Sequence, residues 1–447
     1  MTTIEIEEVK RCQDSRNILI KLGSKVISST GVMFQVRSDR DLDWIFDMDY
    51  DNECIEGLVM PFWVGNKYVS RLNEVKNQSK QLKINNSPSL SSFQQNLINF
   101  SKIKLALFDP SSETFYFSAI KLDKYNKESA SQKKKALINF INQSKVPEVV
   151  GNLAKANPST YYQIFEKIYN DDKQRSALIT WFLIHQQNQS ADVAFVPTPY
   201  LSGKETLAFE LSINMNFEAD SLNEVISVPI GHHYCFDANF FSDGDVVDIA
   251  IKMFEEKYLK FDKTYSKIVS IKLVNERFND SPDAMENFKN FLNAIRKIRD
   301  NTGIIFILFN GMATGYAALT KGFDLYSFPT NGHTAAGYGK NINSDSRGRK
   351  AGIYDSKWLV KRNYTSTLRY FKLNGHLPVE GTYGSSIAFT DPESFDFRGW
   401  NKITKKILAE VKNNEAKKIR EAIANGSIRI IREVFLASKR KEYIDIL

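Results

Sequence analysis

The chain has 447 residues, of which 42% are hydrophobic and 25% charged, with 12 Pro and 22 Gly. That composition excludes a disordered or low-complexity chain, and it supplies a full core without disulfide or metal staples. The net charge of +8 is uneven: residues 340–447 hold 22 Lys+Arg against 12 Asp+Glu, and residues 1–339 hold 38 against 40.

A basic excess confined to the last quarter points to a polyanionic partner, with nucleic acid the first candidate. Cys12, Cys54 and Cys235 are far apart and not at metal-ligand spacing. Reduced thiols in the cytoplasm fit this usage better than a disulfide framework. The polar, acidic start MTTIEIEEVKRCQDSRN does not read as a secretory leader. No apolar run approaches the roughly 18 residues that span a bilayer, so no membrane role is expected.

In chain order, Val32–Val36 and Leu58–Val64 read as strands, being short, β-branched and aromatic. Lys76–Ser92 is Ser/Asn-rich and reads as a loop. Lys104–Phe108 and Thr114–Ile120 flank Asp109-Pro110-Ser111-Ser112-Glu113, a hairpin-like signal. Lys133–Lys135 open a basic amphipathic helix, and Thr160–Gln187 has helical spacing.

Strands then alternate with helices. Asp192–Pro197, Val225–Ile230, Ile268–Val274, Ile304–Phe309 and Phe323–Phe328 are strands; Asp245–Tyr258, Asp283–Arg299 and Thr314–Thr320 are helices. The strands are continuously apolar, as parallel strands covered on both faces are. Eight candidates precede residue 330, counting Leu58–Val64, Lys104–Phe108 and Thr114–Ile120. The expected fold is therefore α/β, a (β/α)8 TIM-like barrel with an N-terminal mixed α/β extension and a basic helical C-terminal region. An open doubly wound sheet is the alternative, but no Gly-rich phosphate loop follows any strand.

The expected divisions are 1–100, a mixed segment that includes a first barrel strand; 101–339, the barrel; and 340–447, basic and mainly helical. Within the last, Thr330–Lys350 reads as a Gly-rich loop and Tyr354–Lys372 as a helix. Gly399 to the end reads as helices broken at Asn425-Gly426, a good C-cap pair.

In a barrel, active groups belong at the C-terminal ends of strands. That rule selects Pro197-Thr198-Pro199-Tyr200, Gly231-His232-His233-Tyr234, Asn275-Glu276-Arg277, Asn310-Gly311 and Ser327 through His333. Adjacent His232 and His233 point opposite ways in extended chain, so they do not share a metal. Either can act as acid, base or hydrogen-bond partner. No nucleophile elbow or zincin motif occurs, and a metal site would need ligands from scattered His and Asp; no metal and no cofactor are expected.

From Ile304 to Ile387 the chain resembles the last βα unit and zinc subdomain of tRNA-guanine transglycosylases. Gly322-Phe323-Asp324-Leu325-Tyr326 is similar to that family's last barrel strand, G-x-D-x-[FM]-D, with Ser327 where the family has its nucleophilic Asp. After Leu377-Pro378, residues Val379, Gly381 and Gly384 stand at the positions of the family's three zinc cysteines. The resemblance implies a barrel enzyme that exchanges a guanine-type base in nucleic acid, without the zinc and without the usual covalent Asp.

On this reading Asp324, Ser327 and His232 are catalytic candidates, and Tyr200, His233, Tyr234 and Asn310 line the base pocket. Arg347, Arg349, Lys350, Lys361, Arg362, Lys405 and Lys406 contact tRNA or DNA. The alternative is a non-catalytic barrel subunit that docks a protein partner through its C-terminal helices. An unrelated barrel enzyme acting on a small phosphorylated molecule ranks behind both.

Overall fold

The computed structural model describes residues 4–46, 55–84, 104–116, 120–122, 127–129, 132–203, 206–260, 266–274, 278, 283–329, 350–444 and 447. The chain opens with an antiparallel sheet of β1 (Ile4–Cys12), β2 (Ser15–Leu22) and β3 (Lys25–Ser28). Parallel strands β4 (Gly31–Gln35), β5 (Ile55–Pro61) and β6 (Leu105–Asp109) follow. A small hairpin, β7 (Ile120–Leu122) and β8 (Lys127–Ser129), stands apart from them. The parallel set resumes with β9 (Ala194–Phe195), β10 (Tyr200–Leu201), β11 (Ile230–Phe236), β12 (Ile268–Leu273), β13 (Ile305–Phe309) and β14 (Leu325–Pro329).

Strands β11 to β14 pair in sequence, β14 pairs with β4, and β4, β5 and β6 continue the ring. A bridge from Leu107 to Val193 and the pairing of β9 with β11 bring the ring round. With β9 and β10 as one interrupted strand, eight parallel strands form a nearly closed (β/α)8 barrel.

Helices lie between the strands: α1 (Asp39–Phe46), α2 (Gly65–Ile84), α3 (Ser112–Tyr116), α4 (Gln132–Gln143), α5 (Glu148–Lys155), α6 (Tyr161–Asn170), α7 (Asp172–Asn188), α8 (Thr206–Asp220), α9 (Gly244–Leu259), α10 (Ala284–Thr302) and α11 (Ala313–Ala318). The C-terminal region has a hairpin, β15 (Tyr354–Asp355) and β16 (Val360–Lys361), then α12 (Tyr364–Asn374), α13 (Thr382–Ile387), α14 (Phe397–Ala424) and α15 (Arg429–Ala437).

The strand count matches the sequence reading, but the membership differs. Val32–Val36, read as a strand but not counted among the eight, falls on the barrel strand β4. Thr114–Tyr116 of the expected strand Thr114–Ile120 lie in α3 and Ile120 begins β7, outside the barrel; residues 117–119 lie outside the described residues. Ser111 adopts φ +56° and the chain turns into α3, so Asp109-Pro110-Ser111 ends a strand and starts a helix.

Val225–Ile230 is not a strand either, and β11 begins where it ends. Pro229 has no N–H for a ladder, and Val225 is exposed. The Thr160–Gln187 helix is two helices, broken at Asp171, whose carboxylate caps α7 through the amides of Lys173 and Gln174. Tyr354–Lys372 is a hairpin followed by a helix capped by Asn363, not one helix. Helix α2 runs through the first half of Lys76–Ser92, and the rest lies outside the described residues.

Side chains alternate along each strand, so one set fills the barrel and the other meets the helices. Met33, Val59, Leu105, Leu107, Val193, Phe195, Ile268, Ile305, Ile307, Phe309 and Leu325 form one buried apolar cluster inside the ring. Ile4, Ile18, Ile20, Leu22 and Ile27 of the N-terminal sheet belong to the same cluster. That sheet therefore plugs the N-terminal end of the barrel.

Polar ties fasten the plug to residues just before four strands. Arg16 pairs with Asp324 at 2.8 Å and donates to the Ile304 carbonyl. Lys25 reaches Asp192, and Lys267 reaches the Ile4 carbonyl. Helix α14 braces the wall from outside. Its 28 residues reach about 42 Å at 1.5 Å per residue. Lys405 near its start meets Asp41 of α1, and Arg420 near its end meets Glu56 of β5.

The segment that resembles a zinc subdomain is held by a carboxylate. Glu410 of α14 accepts the amides of Tyr383 and Gly384 at 2.9 Å each, at the start of α13. Gly381 has φ +98°, and a Cβ there would stand 2.4 Å from the Glu410 carboxyl carbon. Glycine is required both for the backbone and for the approach.

Candidate active site at the barrel mouth

The inward positions change character toward the C-terminal ends of the strands. Below are Val, Ile, Leu and Met; above them stand Gln35 on β4, Asp109 on β6, Cys235 on β11, Lys272 on β12 and Ser327 on β14. Glu113 joins them from the first turn of α3. None of these six is more than 4% exposed.

Lys272 is the hub. Its Nζ lies 2.5 Å from Asp109 Oδ2 and 2.7 Å from Glu113 Oε2. Burial opposes its charge, yet the two carboxylates raise its pKa above the ordinary lysine value, so it stays an ammonium. Asp109 is held by two further donors, Gln35 Nε2 at 3.2 Å and the Ser111 amide at 2.7 Å. Ser327 Oγ donates to Gln35 Oε1 at 2.6 Å and accepts the Asn310 amide at 2.9 Å. The Cys235 thiol is 3.9 Å from Glu113, and burial pushes its pKa up, which keeps it protonated.

Below this layer His233 faces inward. Ser270 Oγ donates to the His232 carbonyl at 3.2 Å, so it accepts from His233 Nδ1 at 2.8 Å. The Nε2 lone pair is then left buried with no hydrogen-bond partner. Burial holds the His233 pKa down to about 4.

The catalytic candidates Asp324, Ser327 and His232 do not meet. Ser327 is at the mouth. Asp324 precedes β14, at the opposite end of the barrel, where its carboxylate takes both Arg16 and the Phe306 amide. It anchors the plug. His232 lies within β11, not after it, and alternation turns it outward. Its Nε2 is 3.0 Å from Asp220 at the end of α8, and its Nδ1 is 2.6 Å from the Tyr258 hydroxyl on α9. It ties strand to helices.

Of the base-pocket candidates, Asn310 is at the mouth and donates to the Leu273 carbonyl at 2.7 Å. Tyr200 begins β10, with its hydroxyl 2.5 Å from Asp237; burial and that carboxylate raise its pKa. His233 lies beneath the mouth. Tyr234 points outward to the Tyr258 hydroxyl at 2.9 Å and is not part of the site.

Among the basic residues, Arg347 and Arg349 lie outside the described residues. Lys350 donates to the Pro392 carbonyl at 2.9 Å, and Arg362 pairs with Asp355 at 2.7 Å while lying over Trp358 and Tyr370. Lys405 is tied to Asp41, and Lys406 lies over the Tyr383 ring. Burial lowers the Lys361 pKa to about 7, with the charges of Arg37 and Lys405 adding to the effect.

Sequence reasoning missed Asp109, Glu113, Lys272 and Gln35. Two signals were present. Asp109 ends an apolar strand, and Ser270 and Lys272 break the apolar run of β12 at alternate positions. Among the described residues no group of three or more His, Cys, Asp or Glu is placed to hold a metal ion. No helix among them is long and apolar enough to cross a membrane. The sequence matches no protein-family model, and no curated protein matches it.

Proposed function

We propose that the protein is a barrel enzyme acting at the glycosidic bond of a base in nucleic acid, in the manner of the tRNA-guanine transglycosylases that part of its sequence resembles. The observation that carries this reading is the pair of carboxylates, Asp109 and Glu113, bound to one ammonium at the C-terminal mouth. A close pair of carboxylates is the equipment of glycosyl transfer with a covalent intermediate. They supply the nucleophile that Ser327, without a neighbouring base, does not.

Asp109 is locked by three donors and fixes Lys272. Glu113, on a longer side chain, attacks C1′ of the target nucleotide. The C1′–N bond breaks and its electron pair leaves on the base, where the Lys272 ammonium stabilises the charge while the departing base takes a proton from water. An incoming base attacks C1′, gives up its N–H proton to water and releases Glu113. Asn310, Ser327 and Gln35 offer hydrogen bonds to the edge of a base taken out of the stack. The basic C-terminal quarter contributes phosphate contacts; about six of them give a log–log salt slope near −5 on duplex.

The test is exchange of radiolabelled guanine into tRNA and duplex DNA, with trapping of a glycosyl-enzyme. Glu113→Gln is expected to lose activity by at least about a thousandfold while still binding substrate. If neither nucleic acid binds at about 50 mM salt, the reading fails.

One observation favours a second reading, a non-catalytic barrel subunit: the mouth side chains are buried and bonded to one another. Binding without exchange, unaltered by Glu113→Gln, would select it.

A further inference from the structure

Where β4 leaves the barrel at the mouth end, the chain passes from Gln35 through Arg37 into α1. Asp41 of that helix accepts from the Arg37 amide at 3.3 Å and, on its other oxygen, from Lys405 Nζ of α14 at 3.1 Å. The hairpin of β15 and β16 brings Lys361 to the same place, close enough for the charges of both Arg37 and Lys405 to act on it. A barrel strand, a hairpin and the bracing helix thus each send one cation to the rim above β4, beside Gln35 and its partner Ser327.

The charge there is not balanced by the carboxylates around it. Asp41 is the carboxylate these cations meet among the described residues, and it counters one charge of the three. Asp355, on the same hairpin, is taken by Arg362 at 2.7 Å, and Asp39 lies with Lys67 and Asp43. Tyr354, opposite Lys361 on β15, sends its hydroxyl to Glu415 at 3.4 Å. Lys361 carries the consequence. Burial, and then the charges of Arg37 and Lys405, push it from 10.5 down to about 7.

Cations gathered in this way are compensated by an anion with several oxygens. A phosphate accepts from a guanidinium fork and from two ammonium groups at once. The C-terminal end of a barrel is also where substrate phosphates are bound.

We propose that Arg37, Lys361 and Lys405 form a phosphate site at the rim of the mouth, holding a phosphate of the substrate while its reacting part lies over Gln35 and Ser327. The site follows from charge and position. That the phosphate belongs to a nucleic-acid backbone rests on the reading above; a small sugar phosphate offers the same chemistry. A bound anion raises the Lys361 pKa, so binding takes up a proton and weakens as the pH rises above about 7.

The test uses the full chain, with sulfate as the probe because it does not titrate in this range. Calorimetry at pH 7.5 in two buffers of different ionisation enthalpy is expected to show uptake of more than about half a proton per sulfate bound. Lys361→Arg is expected to bind sulfate without that uptake, and Lys361→Met and Arg37→Gln to bind it at least about tenfold more weakly. Removing a crowded cation relieves repulsion, so the Tm of Lys361→Met is expected to be no lower than the parent's. An eight-nucleotide DNA oligomer and ribose 5-phosphate then compete with sulfate. Displacement by the oligomer supports the site and its nucleic-acid source, whether or not base exchange is found. Displacement by ribose 5-phosphate alone supports the site and overturns the nucleic-acid reading of the mouth. If Lys361→Met and Arg37→Gln bind sulfate as the parent does, or neither competitor displaces it, the site is overturned.

Discussion

Replacing Lys272 by Met removes the one cation that Asp109 and Glu113 share. All three side chains are at most 3% exposed, so solvent does little to screen the carboxylates that remain. Breaking a buried pair by deleting one partner costs about 3–5 kcal/mol, because a charge is left unpaired in a poor solvent for it. Here two carboxylates are left facing each other, so the upper end of that range is expected. Urea unfolding at pH 7.5 measures it directly.

A double-variant cycle separates this cause from simple loss of packing. Adding Glu113→Gln to Lys272→Met removes one stranded charge and should recover at least about 1.5 kcal/mol, a strongly non-additive cycle. A loss under about 1 kcal/mol, or a double variant whose cost is the sum of the two singles, would refute the closed ion cluster as the organising feature of the mouth.

Other consequences follow from the two ends of the barrel. Arg16→Met strands Asp324 beneath the barrel and should cost about 3–5 kcal/mol in urea unfolding. His233, held down to about 4, stays unprotonated in the native state where the unfolded chain, with a pKa near 6.5, binds a proton. Stability should therefore be flat in this contribution above about pH 6.5 and fall between about 6.5 and 4, by about 3 kcal/mol in all. His233→Gln should remove that part of the curve of Tm against pH. Glu410→Ala frees the amides of Tyr383 and Gly384, which should exchange at least tenfold faster by hydrogen–deuterium exchange, and added chelator should not shift Tm.

The strands were the most legible part of the chain. Ile304–Phe309 and Ile268–Val274 are short, continuously apolar and β-rich, and they form β13 and β12 within a residue. Errors fell where local signals carry two meanings. VISVPI looks like a strand by composition, but Pro229 cannot join a ladder, so β11 starts after it and His232 and His233 fall inside the strand. Asp109-Pro110-Ser111 is turn chemistry for a hairpin or for a strand-to-helix turn; the left-handed Ser111, whose amide donates to Asp109, settled which.

The candidate site was less legible, for a different reason. Ser327 and Asn310 were found because they follow apolar strands, and Asp324 was misplaced by one end of the barrel because a motif position carries no depth. Asp109 and Lys272 are 163 residues apart. Lys272 breaks the apolar run of β12, but nothing local says which carboxylates it meets.

The sequence by itself determined the alternation of strand and helix, the parallel character of the sheet and the basic excess of the last quarter, because these depend on composition and period along the chain. Only the tertiary structure decided which eight strands form the ring, that β1 to β3 plug one end, and that two carboxylates and a lysine meet at the other. Those depend on barrel closure, which sets the inward face of each strand and its height in the ring, and closure is a property of all the strands together.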